Sequence, residues 1–229
     1  MEQLSFSNAK KLNSAEIRNY IRKETYSSHT AGLATGKLQT NIVIIQKEFS
    51  EDFSRFCQLN PKACPLVGKT EIGDPFFKTL GKDIDIRYDV PSYNIYQNGY
   101  LKKSVQNIKK YWNKNLVGFA IGCSFTFEHD LLKNNLSIDH IKNNKIVPMY
   151  KTNICNLVSG VFSSNMVVSM RIFKKSDKKK IVDISKKFLF AHGEPIHIGD
   201  PNKIGIKNIL NPDWGDIPRK KNENENYYF

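Results

Sequence analysis

Apolar residues along this chain recur at two spacings, helical and strand-like, and their alternation lays out its elements. From Ser14 to Tyr26, Ile17, Tyr20 and Ile21 fall on one helical face, and Asn13 with Glu16 three residues on has the form of a capping box. Asn41 to Gln46 holds Ile-Val-Ile-Ile with no polar alternation, which predicts a buried strand. Ser50 to Leu59 returns to helical spacing with Phe53, Phe56 and Cys57 inward and a stop at Asn60-Pro61. Tyr93 to Val105 reads as a hairpin around Asn98-Gly99, and Val105 to Trp112 as helical. Leu116 to Ile121 is an apolar run of strand length. Gly122-Cys123 gives a turn after it, and Ser124 is placed to cap a helix carrying Phe127, Leu131 and Leu132. Strands are predicted near 147–154 and 165–172, then a helix at 177–188 with Ile181, Ile184 and Phe188 buried. Such alternation predicts a mixed sheet covered by helices.

Two segments depart from packing patterns and offer chemistry. Residues 191–201, Ala-His-Gly-Glu-Pro-Ile-His-Ile-Gly-Asp-Pro, gather His192, His197, Glu194 and Asp200 around a short Pro-Ile-His-Ile strand. A histidine exchanges protons near neutral pH, and a neighbouring carboxylate orients its ring. The second segment, residues 119–128, runs from a strand through Gly122, Cys123 and Ser124 into a helix with Glu128 in its first turn. A helix start offers free N–H groups to a carboxylate, and a glycine there lets a ligand approach the backbone.

These segments belong to a longer series. Thr30-Ala-Gly-Leu-Ala-Thr-Gly36 with Gln39-Thr40-Asn41 comes first, then residues 56–66, Phe-Cys-Gln-Leu-Asn-Pro-Lys-Ala-Cys-Pro-Leu, and Gly73-Asp-Pro75. Gly122-Cys-Ser-Phe-Thr-Phe-Glu128, Val147-Pro-Met-Tyr-Lys-Thr-Asn-Ile154 and Met166-Val-Val-Ser-Met-Arg171 follow. The histidine segment and Gly205-Ile206 close the series. In this order the blocks resemble the hydro-lyase family that includes D-glutamate cyclase, over residues 29–216. Thr35 and Cys155 stand where that family usually has proline. Past Gly215-Asp216 the chain leaves the family pattern and ends in Lys220-Lys-Asn-Glu-Asn-Glu-Asn-Tyr-Tyr-Phe229. These charged and amide residues predict an exposed, flexible tail. With such a tail the site is expected to be more open than in full-length relatives, binding small carboxylates but turning D-glutamate over slowly.

The resemblance implies an α/β fold: a three-layer mixed-sheet domain with a smaller two-layer α/β domain. We place the main domain at 1–120 plus 185–229 and the smaller one at 121–184. It also implies a carbon-oxygen hydro-lyase that expels water from a small amino or hydroxy acid, with D-glutamate cyclisation to 5-oxo-D-proline as the family reaction. That reaction needs a base for the amine, an acid for the departing oxygen, an oxyanion site and a cation for the spectator carboxylate. The expected proton carrier is His197, paired with Glu128 or Asp200. The Gly122-Cys123-Ser124 turn suits the oxyanion, and Arg171 the carboxylate. Thr152, Asn153 and His192 are expected to add substrate contacts. Cys123 as a nucleophile is the rival, although the substrate amine already supplies one.

Composition narrows the field further. The charge of +13 comes from 29 lysines and only 6 arginines, spread along the chain, without the arginine forks or aromatic-basic face of a nucleic-acid reader. Met1 to Asn13 lacks the apolar core of a signal peptide, and no run reaches membrane-spanning length, so a cytoplasmic protein with reduced thiols is expected. The four cysteines lack paired zinc spacing, and neither metal nor cofactor is expected. A metal-dependent hydrolase using His192, His197 and a carboxylate is the alternative, although the i, i+5 spacing needs a distant third ligand. The expected partner is a small carboxylic or amino acid, with no specific nucleic acid, no membrane, and room for a homo-oligomer.

Overall fold

The Asn13 side chain accepts the backbone N–H groups of Ala15 and Glu16, while the Glu16 carboxylate accepts the Asn13 N–H at 2.8 Å. The reciprocal cap starts the helix where the sequence predicts. In the computed structural model, which describes residues 3–229, a single turn α1 (Phe6–Ala9) precedes this helix, α2 (Ser14–Arg22). Helix α2 buries Ile17 and Ile21 but leaves Tyr20 exposed. It ends four residues before Tyr26, because Glu24 takes a left-handed φ of 57° that turns the chain back. Tyr26 is instead buried on its own loop, its hydroxyl donating to the His29 carbonyl.

Chain contacts divide the protein into two units. The first comprises the residues up to Glu51 together with Leu66–Ile121, and the second Asp52–Pro65 together with Gly122–Phe229. This division differs from the boundaries expected at 120 and 185, because residues 185–229 pack with 122–184.

In the first unit, strands β1 (Thr40–Gln46), β2 (Leu66–Lys69) and β5 (Leu116–Gly122) form a sheet of order β1-β5-β2, with β2 antiparallel to β5. Strand β1 is half-buried rather than fully covered, whereas β5 is buried along nearly its whole length. Strands β3 (Tyr93–Gln97) and β4 (Tyr100–Val105) form the predicted hairpin, and both turn residues have positive φ, 52° at Asn98 and 79° at Gly99. The predicted helix after it shrinks to a 3-10 turn at Lys109–Tyr111.

Helix α3 (Ser50–Leu59) has the predicted bounds and buries Phe53, Phe56 and Cys57. In the second unit Phe53 and Phe56 pack with tilted rings against Phe162. There α4 (Phe125–Lys133) buries Phe127 and Leu131, Leu132 stays exposed, and the single turn α5 (Asp139–Lys142) follows. Strands β6 (Met149–Cys155) and β7 (Asn165–Ser169) pair antiparallel. The strand expected at 165–172 breaks at Met170, and Arg171 opens a new one, β8 (Arg171–Lys174). Helix α6 (Lys178–Ser185) buries Ile181 and Ile184.

The C-terminal residues overturn the expectation of an exposed tail in part: Lys220 and residues 222–224 are exposed, but the residues after them are not. Residues 225–228 form β9 (Glu225–Tyr228), antiparallel to β8 with Arg171 opposite Tyr228. Tyr227, Tyr228 and Phe229 are all buried, and the Tyr228 hydroxyl donates to the Lys174 carbonyl. The polar run 220–226 hides the three apolar rings that end the chain, and those rings supply the missing burial. The expected Pro-Ile-His-Ile strand is not a full strand. It runs beside β9 through Ile196 N–H to Phe229 O, Phe229 N–H to His197 O and an Ile198–Tyr228 bridge. The protein is thus α/β with antiparallel pairing.

Candidate functional site

Arg171 begins β8 only 8% exposed, and each of its three guanidinium nitrogens is engaged inside the second unit. Its Nε and Nη2 donate to Glu128 Oε1 at 3.0 and 2.5 Å, Nη2 also to Ser124 Oγ at 2.9 Å, and Nη1 to Ser169 Oγ at 3.0 Å. The guanidinium carbon lies 5.5 Å from the centre of the Phe127 ring. Glu128 is 1% exposed. Burial opposes ionisation of its carboxyl, but Arg171 and His140 outweigh that and hold it below the ordinary carboxylate range.

The cluster contains a residue that sequence reasoning missed. His140, buried on α5, brings Nε2 to 2.9 Å from Glu128 Oε1, at an angle that makes no full hydrogen bond. Glu128 Oε2 is buried with no hydrogen bond at all. His140 and Arg171 also form part of the wall of a cavity of about 70 Å³, with Asp139, Lys145, Asp216 and Arg219. Nothing in Ser137-Ile-Asp-His-Ile141 marks a site, because the residues that give His140 meaning lie far off in sequence. Ser169 likewise reads as an ordinary strand residue.

The predicted residues meet varied ends. Ser124, Glu128 and Arg171 come together through the guanidinium. Ser124 does not cap α4, however. It has helical φ and ψ and makes no side-chain cap, its hydroxyl being engaged by Arg171. Gly122 leaves no room for a ligand, because the Phe190 carbonyl already fills the space; a Cβ there would lie 1.7 Å from that oxygen. The Gly122 N–H is also spent, donating to Pro65 O. Burial pushes the Cys123 thiol up, against the lowered value that an activated nucleophile needs.

His192 and His197 do not join the cluster through any hydrogen bond. His192, at a left-handed φ of 77°, sets Nδ1 2.9 Å from the Lys62 carbonyl, and burial lowers its pKa. His197 sets Nε2 2.7 Å from the Asp200 backbone carbonyl and stacks on Phe229. The Asp200 carboxylate accepts the Asn202 N–H instead, capping a 3-10 turn, so neither Asp200 nor Glu128 pairs with His197 as expected. Thr152 is buried and bonded to the Met166 carbonyl, and Asn153 is exposed beside Gly205. Among the described residues no three His, Cys, Asp or Glu side chains come together as metal ligands, and no helix is long and apolar enough to cross a membrane.

Comparison with known proteins gives this geometry its setting. The family model described as D-glutamate cyclase matches residues 117–226. A protein of Pelagibacter ubique named "Putative hydro-lyase" is 47% identical over 213 residues, which span 93% of this chain and 81% of the relative. Proteins of the same name from Dinoroseobacter shibae and Bacillus pumilus are 48% and 47% identical, over 88% of this chain and 67% and 77% of their own. The chain belongs to the hydro-lyase family that includes D-glutamate cyclase. The stretch matched to the D-glutamate cyclase family carries every member of the Arg171 cluster.

Within this hydro-lyase fold Gly122 supports a sharp test. Gly122→Ala is expected to cost about 3 kcal/mol or more, since the clash is with backbone that no rotamer can relieve. A urea midpoint within error of the parent would show that residues 190–191 yield freely.

Proposed function

We propose that the chain is a hydro-lyase of the D-glutamate cyclase type, acting on a small amino or hydroxy acid at the Arg171–Glu128–His140 cluster. Family membership supports the reaction class. One observation supports the place: Glu128 Oε2 is buried without a hydrogen bond, and the two residues paired with Glu128 Oε1, Arg171 and His140, also wall a small cavity. A buried unmet polar atom costs about 1–3 kcal/mol, and such costs concentrate where chemistry uses them.

Cyclisation of D-glutamate balances simply. The amine nitrogen bonds to the side-chain carboxyl carbon, one carboxyl oxygen departs, and two protons from the ammonium leave with it as water. No net proton comes from solvent, so a group that takes protons from nitrogen and returns them to oxygen suffices. Lys145 and Arg219, which line the same cavity, supply positive charge that favours a substrate carboxylate there. Ser124 and Ser169 fix the Arg171 guanidinium so that little reorganisation is needed.

The test is direct. The purified protein is incubated with D-glutamate, L-glutamate and related amino and hydroxy acids, and products are read by mass. A product lighter by one water from D-glutamate is expected. No dehydrated product from any of these acids would defeat the proposal.

A further inference from the structure

We infer that His140 is the proton-carrying catalytic residue of this site, with Glu128 as its positioning residue. The inference rests on the hydro-lyase reading above and adds to it the group that moves the proton. Of the five histidines, His140 is the one on the cavity wall. His192 is engaged by the Lys62 carbonyl and the Gly122 backbone, and His197 by the Asp200 carbonyl. His140 turns Nε2 toward Glu128 Oε1 at 2.9 Å, and Glu128 is fixed in turn by Arg171. An imidazole backed by a carboxylate is held in one orientation, which leaves its second nitrogen, Nδ1, for the substrate.

The balance follows from the reaction. His140 accepts one proton from the substrate ammonium, and the freed amine forms the C–N bond at the carboxyl carbon. His140 then gives its proton to a carboxyl oxygen. It repeats the transfer with the second nitrogen proton as the C–O bond breaks and water leaves. His140 ends in its starting state. The charges around it are Glu128 from α4, Arg171 from β8, Asp139 from its own helix, and Lys145, Asp216 and Arg219 lining the cavity beside it.

The experiment compares His140→Gln, His140→Ala and His197→Gln with the parent on D-glutamate. His140→Gln is expected to lower kcat roughly 100-fold or more with KM within about threefold, and to flatten the pH profile of kcat. Added imidazole is expected to restore part of the His140→Ala activity, which a merely structural loss would not allow. Should these variants fail to fold, nitrogen NMR of the labelled parent histidines decides: glutarate, an unreactive dicarboxylate, is expected to shift the His140 ring signals most. Activity of His140→Gln within threefold of the parent would overturn the assignment. So would a loss confined to His197→Gln, or an unmoved His140 while glutarate binds. A parent that turns over no acid but whose His140 responds to glutarate would sink the hydro-lyase reading alone. A parent that neither turns over nor binds would sink both.

Discussion

Arg171→Met is expected to destabilise the protein by about 3–5 kcal/mol, because it strands the Glu128 carboxylate without its counter-charge at 1% exposure. For a protein of this size that lowers the thermal midpoint by roughly 10 °C. Adding Glu128→Gln should recover most of the loss, since the cost lies in the stranded charge more than in the missing pair. Acid gives an independent signature. The Glu128 pKa is depressed in the fold, so its contribution is complete above the ordinary carboxylate value near 4.5 and is lost as pH falls through the folded value. In Arg171→Met only His140 remains to oppose the effect of burial, so the depression shrinks. The gap between parent and variant should therefore close on acidification. A loss below about 1 kcal/mol at neutral pH, by urea denaturation, would mean that water reaches Glu128 freely.

Removing residues 225–229 is expected to unfold the second unit. Burying Tyr227, Tyr228 and Phe229 is worth about 1.5–3 kcal/mol each, a sum comparable to the whole stability of a domain. The deletion also strips β8 of its partner and takes from Arg219 its Glu225 contact at 2.7 Å, leaving only Asp139 at 2.5 Å as an ion-pair partner. Hydrogen bonding by Arg219 holds the Glu225 carboxyl at about 2, so this tie is complete above pH 4.5 and loosens as pH falls toward 2. Circular dichroism and limited proteolysis would read the result. A truncated chain that melts within about 5 °C of the parent would refute it.

Local codes were legible in the sequence. The capping box at Asn13, the stop at Asn60-Pro61 and the Asn98-Gly99 turn each rest on residues a few positions apart, and each stands in the structure. Long-range demands were not legible. Gly122 reads as an opening for a ligand until the Phe190 carbonyl is seen in that space. Ser124 reads as a cap until Arg171 claims its hydroxyl. The histidine segment drew attention by composition, yet its rings answer to backbone carbonyls, while His140 hid in an unremarkable helical turn. The average polarity of the tail conceals its three terminal aromatic rings, which are buried.

The chain passes from one unit to the other three times, after Glu51, Pro65 and Ile121, and the first passage lies inside helix α3. During synthesis the first unit has all its residues once Ile121 emerges, but Phe53 and Phe56 must wait for Phe162, more than a hundred residues later. Until then two large rings stay in water, a period in which a growing chain invites chaperones or misassociation. Expression of residues 122–229 alone would omit those rings altogether, so neither half of this protein can be inherited, excised or produced as one uninterrupted cassette.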